Sequence, residues 1–215
     1  EISKKNNLFD VKYKRNKSEK FDLVMEATGR SPNIERLNLE KIKIKLSKDS
    51  SIIVNDYFET SCKNIYAIGD VIDRIQLTPV AIAEAMNLVN NLTKKKKEKF
   101  KYNNVPTAVF SNPNYAYVGF TENEAKKKFK KIEIFSSNFR PLRFSLSKKK
   151  EKVFVKLIVN SLNNKVVGLH YLGEHAAEIV QGFSVAIVNG LTKKAFDKTV
   201  GIHPTSAEEI VTMKK

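Results

Sequence analysis

Cysteine is all but missing from this sequence: Cys62 is the only one in 215 residues. No internal disulfide can form, which excludes a cysteine-stapled secreted scaffold and points to a reducing cytoplasm. A thiol redox pair cannot come from these residues either. Tryptophan is absent and histidine numbers only 3. His170 and His175 lack partners at ligand spacing, so they read as a strand residue and a helix-start residue, and no metal is expected. Nowhere is an apolar run long enough to cross a bilayer, so no membrane partner is expected. The chain opens on Glu1, with no charged-then-apolar leader behind it. The expectation is missing upstream sequence rather than a signal peptide.

Acidic residues are also in deficit. Lys and Arg total 39 against 23 Asp and Glu, a formal charge of +16. Charge alone raises nucleic-acid binding, which predicts retention on polyanions and a steep salt dependence. Arginine, the residue that makes bidentate contacts to phosphate and guanine, is confined to Arg15, Arg30, Arg36, Arg74, Arg140 and Arg143. The lysines cluster at 94–97, 126–128 and 148–150, as solvated faces do. Nucleic acid is therefore not the expected partner.

What is there reads as two pieces meeting near Asn104. Residues 21–27 form an apolar stretch ended by turn chemistry at 28–33, and short strands are expected at 52–54 and 64–68. Thr78-Pro79 opens a helix carrying Val80, Ala83, Leu88 and Leu92, a strand–loop–helix unit of an α/β domain. Beyond Asn104 short strands are expected at 108–111 and 116–120. Thr121 and Glu124 have capping-box spacing for a helix reaching about Phe129. Residues 152–160 alternate, with Val153, Val155, Leu157 and Val159 on one face, and pair through a loop with 166–172 as a hairpin. A long amphipathic helix over 174–189 follows, with Gly190 at its C-cap. This second part is α+β, an antiparallel sheet with helices beside it.

The richest string is Gly201-Ile202-His203-Pro204-Thr205-Ser206-Ala207-Glu208-Glu209. Histidine titrates near neutrality and can both give and take a proton, and a carboxylate on one ring nitrogen fixes its tautomer. A chain reversal after His203 would bring it to Glu208, in the first turn of a helix beginning at Pro204-Thr205. The same spacing fits a plain capping box in which Glu208 only satisfies the helix start. Spacing leaves both readings open.

The whole string resembles the C-terminal signature of the glutathione reductase family, FAD-dependent pyridine nucleotide-disulfide oxidoreductases of class I. Further resemblances run in the same order along the chain, at 27–33, 64–71, 77–81, 103–107 and 196–200. The resemblance implies the C-terminal part of an FAD/NAD(P)-binding Rossmann-like domain followed by an α+β interface domain. It places residues 1–31 at the end of the NAD(P)H-binding domain, 32–104 in the FAD-binding domain and 105–215 in the interface domain. It implies FAD and NADPH as cofactors, glutathione disulfide as substrate and a homodimer. By the same resemblance Asp70 holds the ribityl chain of FAD and Thr78 the flavin pyrimidine edge. Gly29, Gln76 and Ala108 lie beside the nicotinamide. His203 is the proton-handling base and Glu208 its partner, reaching the other subunit's site. The family's redox cysteines and glycine-rich phosphate loops lie upstream of the matched segment, so these residues alone are expected to be inactive. Met86 stands where many glutathione reductases carry a substrate-binding arginine, which keeps trypanothione-like and other small disulfides open. A stand-alone dimerisation module is the remaining alternative.

Overall fold

The computed structural model describes residues 1–14, 17–94, 97–148 and 150–214. Arg15, Lys95, Lys96, Lys149 and Lys215, counted above among the basic residues, lie outside the described residues. The chain divides into two compact units, Glu1–Phe100 and Lys101–Lys215.

The first unit opens with an antiparallel meander, β1 (Ile2–Lys5), β2 (Leu8–Lys14) and β3 (Lys17–Phe21). The stretch 21–27 does not continue as a strand beyond Phe21. Leu23 and Met25 are strongly exposed, and an apolar segment with no neighbouring strand has nothing to satisfy its backbone groups in a ladder. The short strands expected at 52–54 and 64–68 are reduced to single bridges, Leu46 with Ile52 and Glu59 with Tyr66. Ala67 N–H to Phe58 O at 3.0 Å is a bond of the second bridge, and Ile52 N–H bonds outside the bridges to Val71 O at 2.9 Å. Phe58, Ile72 and Val80 are buried in this unit. Helix α1 (Thr78–Thr93) follows, capped by the backbone of Leu77 with Pro79 in its first turn. Thr78 is thus inside the helix rather than its cap.

The second unit is one antiparallel five-stranded sheet in the order β4-β5-β8-β7-β6. Its strands are β4 (Thr107–Val109), β5 (Tyr115–Gly119), β6 (Ile132–Phe139), β7 (Val153–Asn160) and β8 (Lys165–Leu172). Helix α2 (Glu122–Lys128) carries the full capping box: the Thr121 hydroxyl accepts from Glu124 N–H at 3.3 Å, and the Glu124 carboxylate accepts from Thr121 N–H at 2.8 Å. Strand β6 carries little strand signal in its sequence, because only its first half alternates before Ser136, Ser137 and Asn138 interrupt. It is an edge strand, held by its ladder to β7. Helix α3 (Ala176–Val188) packs on β4, β5 and β8. Asn189 takes its C-cap and Gly190 the turn just beyond. Two short helices, α4 (Lys193–Lys198) and α5 (Glu209–Thr212), complete the unit. Val155, Leu157, Val159, Leu169, Tyr171 and Ile210 are fully buried in its core. Among the described residues no helix is long and apolar enough to cross a membrane.

His170 on β8 is buried and fully engaged. Phe120 O can only accept, at 3.0 Å from Nε2, so Nε2 carries the proton and Nδ1 accepts from the Tyr115 hydroxyl at 2.7 Å. Burial holds this imidazole below its ordinary value of 6.5, and Lys156 adds to that, while Phe120 O and Glu124 pull the other way. Once unfolded, the ring protonates on ordinary terms. The unfolded state then binds more protons below 6.5, so this contribution is complete above 6.5 and is lost as pH falls from there toward the depressed folded value. Between about pH 7.5 and about 5.5 the unfolding midpoint should fall more steeply for wild type than for His170→Gln. Parallel curves would remove His170 as the source.

Candidate functional site

The chain reversal at 203–208 exists. The His203–Pro204 peptide is cis, and the Glu208 carboxylate lies 3.0 and 3.2 Å from His203 Nδ1. A carboxylate only accepts, so Nδ1 carries the proton and Nε2 is left as the lone-pair nitrogen. The imidazole side chain is 70% exposed and the carboxylate 19% exposed. The ring is therefore open to a reacting group while its partner is sheltered.

Geometry decides between the two readings of this stretch. Thr205 Oγ1 accepts from Glu208 N–H at 3.3 Å and donates to Ile202 O at 2.7 Å. The Glu208 side chain does not complete the box as Glu124 does for α2. It turns to His203 instead. The helix consequently begins at Glu209, with Glu208 at its N-cap, not at Pro204-Thr205.

Two distant anchors hold the segment. Ser137 Oγ on β6 donates to Glu209 Oε1 at 2.6 Å. The buried Lys193 on α4 donates to Met213 O at 2.8 Å, pairs with Asp197 and lies over the Phe135 ring. An ammonium so enclosed is stable only when its donors are matched. Sequence reading missed both anchors. Their separations, 72 and 20 residues, follow no local period.

In the first unit, Asp70 and Thr78 lie on consecutive elements. Asp70 is exposed on the 3-10 turn Gly69–Ile72, and Thr78 is exposed at the start of α1, whose N-terminal end no side chain caps. Gln76 donates to Asp73 Oδ1 at 2.7 Å. The turn is fixed from α1 by Glu84, 1% exposed, whose carboxylate accepts from Gly69 N–H at 2.6 Å. Nothing in the sequence singled out Glu84 except a charge among apolar helix positions. Gly29 sits in an irregular segment with open space around it, and Ala108 stands on β4 of the second unit, opposite Ala116. Met86 is exposed on α1. Among the described residues no three His, Cys, Asp or Glu side chains are grouped to hold a metal.

Comparison with known proteins covers both units. Residues 105–214 match the family described as pyridine nucleotide-disulphide oxidoreductase, dimerisation domain, and residues 1–85 match pyridine nucleotide-disulphide oxidoreductase. The chain is 48% identical over 204 residues to the chloroplastic/mitochondrial glutathione reductase of Pisum sativum, covering 95% of this chain and 37% of that protein. It is 47% identical to the glutathione reductase of Burkholderia cepacia, covering 90% of this chain and 43% of that one. Identity to the Yarrowia lipolytica glutathione reductase is 40%, over 99% of this chain and 47% of that one. The chain therefore spans less than half the length of these relatives. Among solved structures, the HOCl-induced flavoprotein disulfide reductase RclA from Escherichia coli superposes with a TM-score of 0.87 at 22% identity, covering 99% of this chain and 49% of that one. That likeness speaks for the fold.

Proposed function

This chain belongs to the pyridine nucleotide-disulphide oxidoreductase family, and on that premise we propose that it works as part of an NADPH-dependent, FAD-containing glutathione-disulfide reductase, active as a homodimer. The observation that carries this is the His203–Glu208 pair, a tautomer-fixed imidazole on an exposed side chain. The names of the relatives at 40–48% identity support glutathione disulfide as the substrate. Residues 1–31 belong to the NAD(P)H-binding domain, 32–104 to the FAD-binding domain and 105–215 to the interface domain. The protein works in the cytoplasm, without nucleic acid or membrane as partner.

The residues of the first unit fit a flavin. Asp70 offers an exposed carboxylate to sugar hydroxyls, on a turn braced by Glu84. Thr78 and the positive end of α1, which carries no side-chain cap, suit the pyrimidine edge, where negative charge gathers on reduction. Gly29, Gln76 and Ala108 are assigned to the nicotinamide side. When bound, FAD and NADPH supply the two electrons that open an enzyme disulfide to a dithiol. That dithiol lies outside these residues, since Cys62 is the only cysteine.

His203 handles the protons of the exchange that follows. Nε2 first takes the proton of the attacking thiol, the resulting thiolate bonds to one sulfur of the substrate as the substrate S–S bond breaks, and the departing sulfur takes that proton from Nε2. Glu208 keeps the ring in the correct tautomer and stabilises the imidazolium between the two transfers. Met86 places no charge where a guanidinium would meet a substrate carboxylate.

The test is NADPH oxidation by the full-length protein with glutathione disulfide, cystine and trypanothione disulfide in parallel. Glutathione disulfide should give a kcat/KM at least about 10-fold above the others, a difference a few matched polar contacts supply. A flavin that NADPH reduces but glutathione disulfide does not reoxidise would end this reading.

A further inference from the structure

The Glu208 carboxylate can reach His203 only because the chain beside it carries no side chain. Gly201 packs directly on Glu208. A Cβ built on Gly201 falls 2.8 Å from Glu208 Cβ, 3.5 Å from Glu208 Cα and 3.5 Å from Val211 Cγ2. Gly201 is not among the residues with positive φ, so its requirement is space and not conformational freedom. The atom in the way is Glu208 Cβ, the root of the side chain, which moves only with its backbone and cannot swing aside as a side-chain tip would; the other two are ordinary contacts.

Glu208 has little room to retreat. Its N–H is held by Thr205 Oγ1 at 3.3 Å. Its carbonyl accepts from Val211 N–H at 3.0 Å and from Thr212 N–H at 3.1 Å, in the first turn of α5. The end of α5 is tied down in turn by Lys193. A methyl at position 201 must therefore push the 200–203 segment, and His203 with it, away from Glu208. A displacement of only about 0.5–1 Å takes a 3.0 Å contact out of hydrogen-bonding range.

Resting on the assignment of His203 and Glu208 as the proton-handling pair, we propose that Gly201 is a positioning residue for that pair, setting the Glu208–His203 separation by its lack of a side chain. It touches no reacting atom and acts wholly through Glu208.

The experiment uses the full-length, FAD-loaded protein and the variants Gly201→Ala, Glu208→Gln, His203→Gln and the double variant Gly201→Ala/Glu208→Gln. Flavin reduction by NADPH, turnover of glutathione disulfide and the pH–rate profile of turnover are measured for each. Gly201→Ala should keep flavin reduction and lose roughly 10- to 100-fold in turnover, the cost of a misplacement near 1 Å. Its pH profile should take the shape of the Glu208→Gln profile. Adding Gly201→Ala to Glu208→Gln should cost almost nothing further, because both changes remove the same contact. Wild-type turnover in Gly201→Ala, or effects that simply multiply in the double variant, overturns the proposal while leaving the pair's assignment standing if His203→Gln is crippled. Full turnover in His203→Gln overturns the assignment and the proposal together. If Gly201→Ala does not fold, Gly201→Ala/Glu208→Gly should restore folding by removing the Cβ that the new methyl meets. Failure to restore it also overturns the proposal.

Discussion

Replacing His203 by Gln in the full-length protein should leave flavin reduction by NADPH at its wild-type rate and lower turnover of glutathione disulfide by roughly 10²- to 10⁴-fold, the usual worth of a positioned acid–base group. The two half-reactions separate because they need different things from this chain. Electron delivery to the flavin calls on no proton at position 203. Thiol–disulfide exchange does, since a departing thiolate with an ordinary pKa of about 8.5 returns readily to attack unless it is protonated as it leaves. Glutamine retains a hydrogen-bonding amide in place of the ring but cannot transfer a proton. Rapid mixing with NADPH, followed by flavin absorbance, reads the first half-reaction. Reoxidation of the reduced protein by glutathione disulfide reads the second. Equal loss in both would show that His203 supports the fold or the flavin site rather than the exchange.

The largest loss of stability should come from a position with no part in the chemistry. Gly119 ends β5 at φ +82°, and a Cβ there would sit 2.2 Å from Val167 O and 3.1 Å from Gly168 Cα. Gly119 stands opposite Gly168 in the β5–β8 register, and Phe120 N–H donates to that same Val167 O at 2.9 Å. Gly119→Ala therefore combines a backbone conformation that L-residues rarely hold with a backbone clash. Together these should cost about 3–5 kcal/mol. Denaturant unfolding of the full-length variant checks it. Gly182→Ala is the matched control: it sits in α3 with nothing within 4 Å of the added Cβ, and should change stability by no more than about 1 kcal/mol. A Gly119→Ala midpoint within that same margin would mean the β5–β8 crossing can open without penalty. The affected turn also leads into the capping box of α2 and carries Phe120 O, the acceptor for His170. A loosened crossing should disturb both.

Several elements were legible in the residues because their causes are local. Thr78-Pro79 and the apolar positions after it define α1, the Thr121–Glu124 box starts α2, and the alternation from Val153 onward gives the β7–β8 hairpin. The stretch 21–27 misled for the opposite reason. Apolar composition marks a segment that can be a strand, but a ladder needs a neighbour, and Leu23 and Met25 have none burying them. Strand β6 is not legible in the residues because half of it is polar and its place depends on pairing with β7.

The candidate site divides along the same line. Sequence by itself determined which residues are available: a histidine, a nearby glutamate, a turn between them, and a threonine spaced to cap a helix. Thr121 with Glu124 and Thr205 with Glu208 have identical spacing and went different ways. The imidazole near Glu124, His170, already has both nitrogens taken by Tyr115 and Phe120 O, and Glu124 closes its box. Glu208 faces His203 across a turn where Gly201 leaves room, Ser137 holds Glu209 and Lys193 holds Met213. Only the tertiary structure decided that outcome, because a carboxylate bonds to the donor that packing brings within about 3 Å, and residues far apart in sequence set that distance.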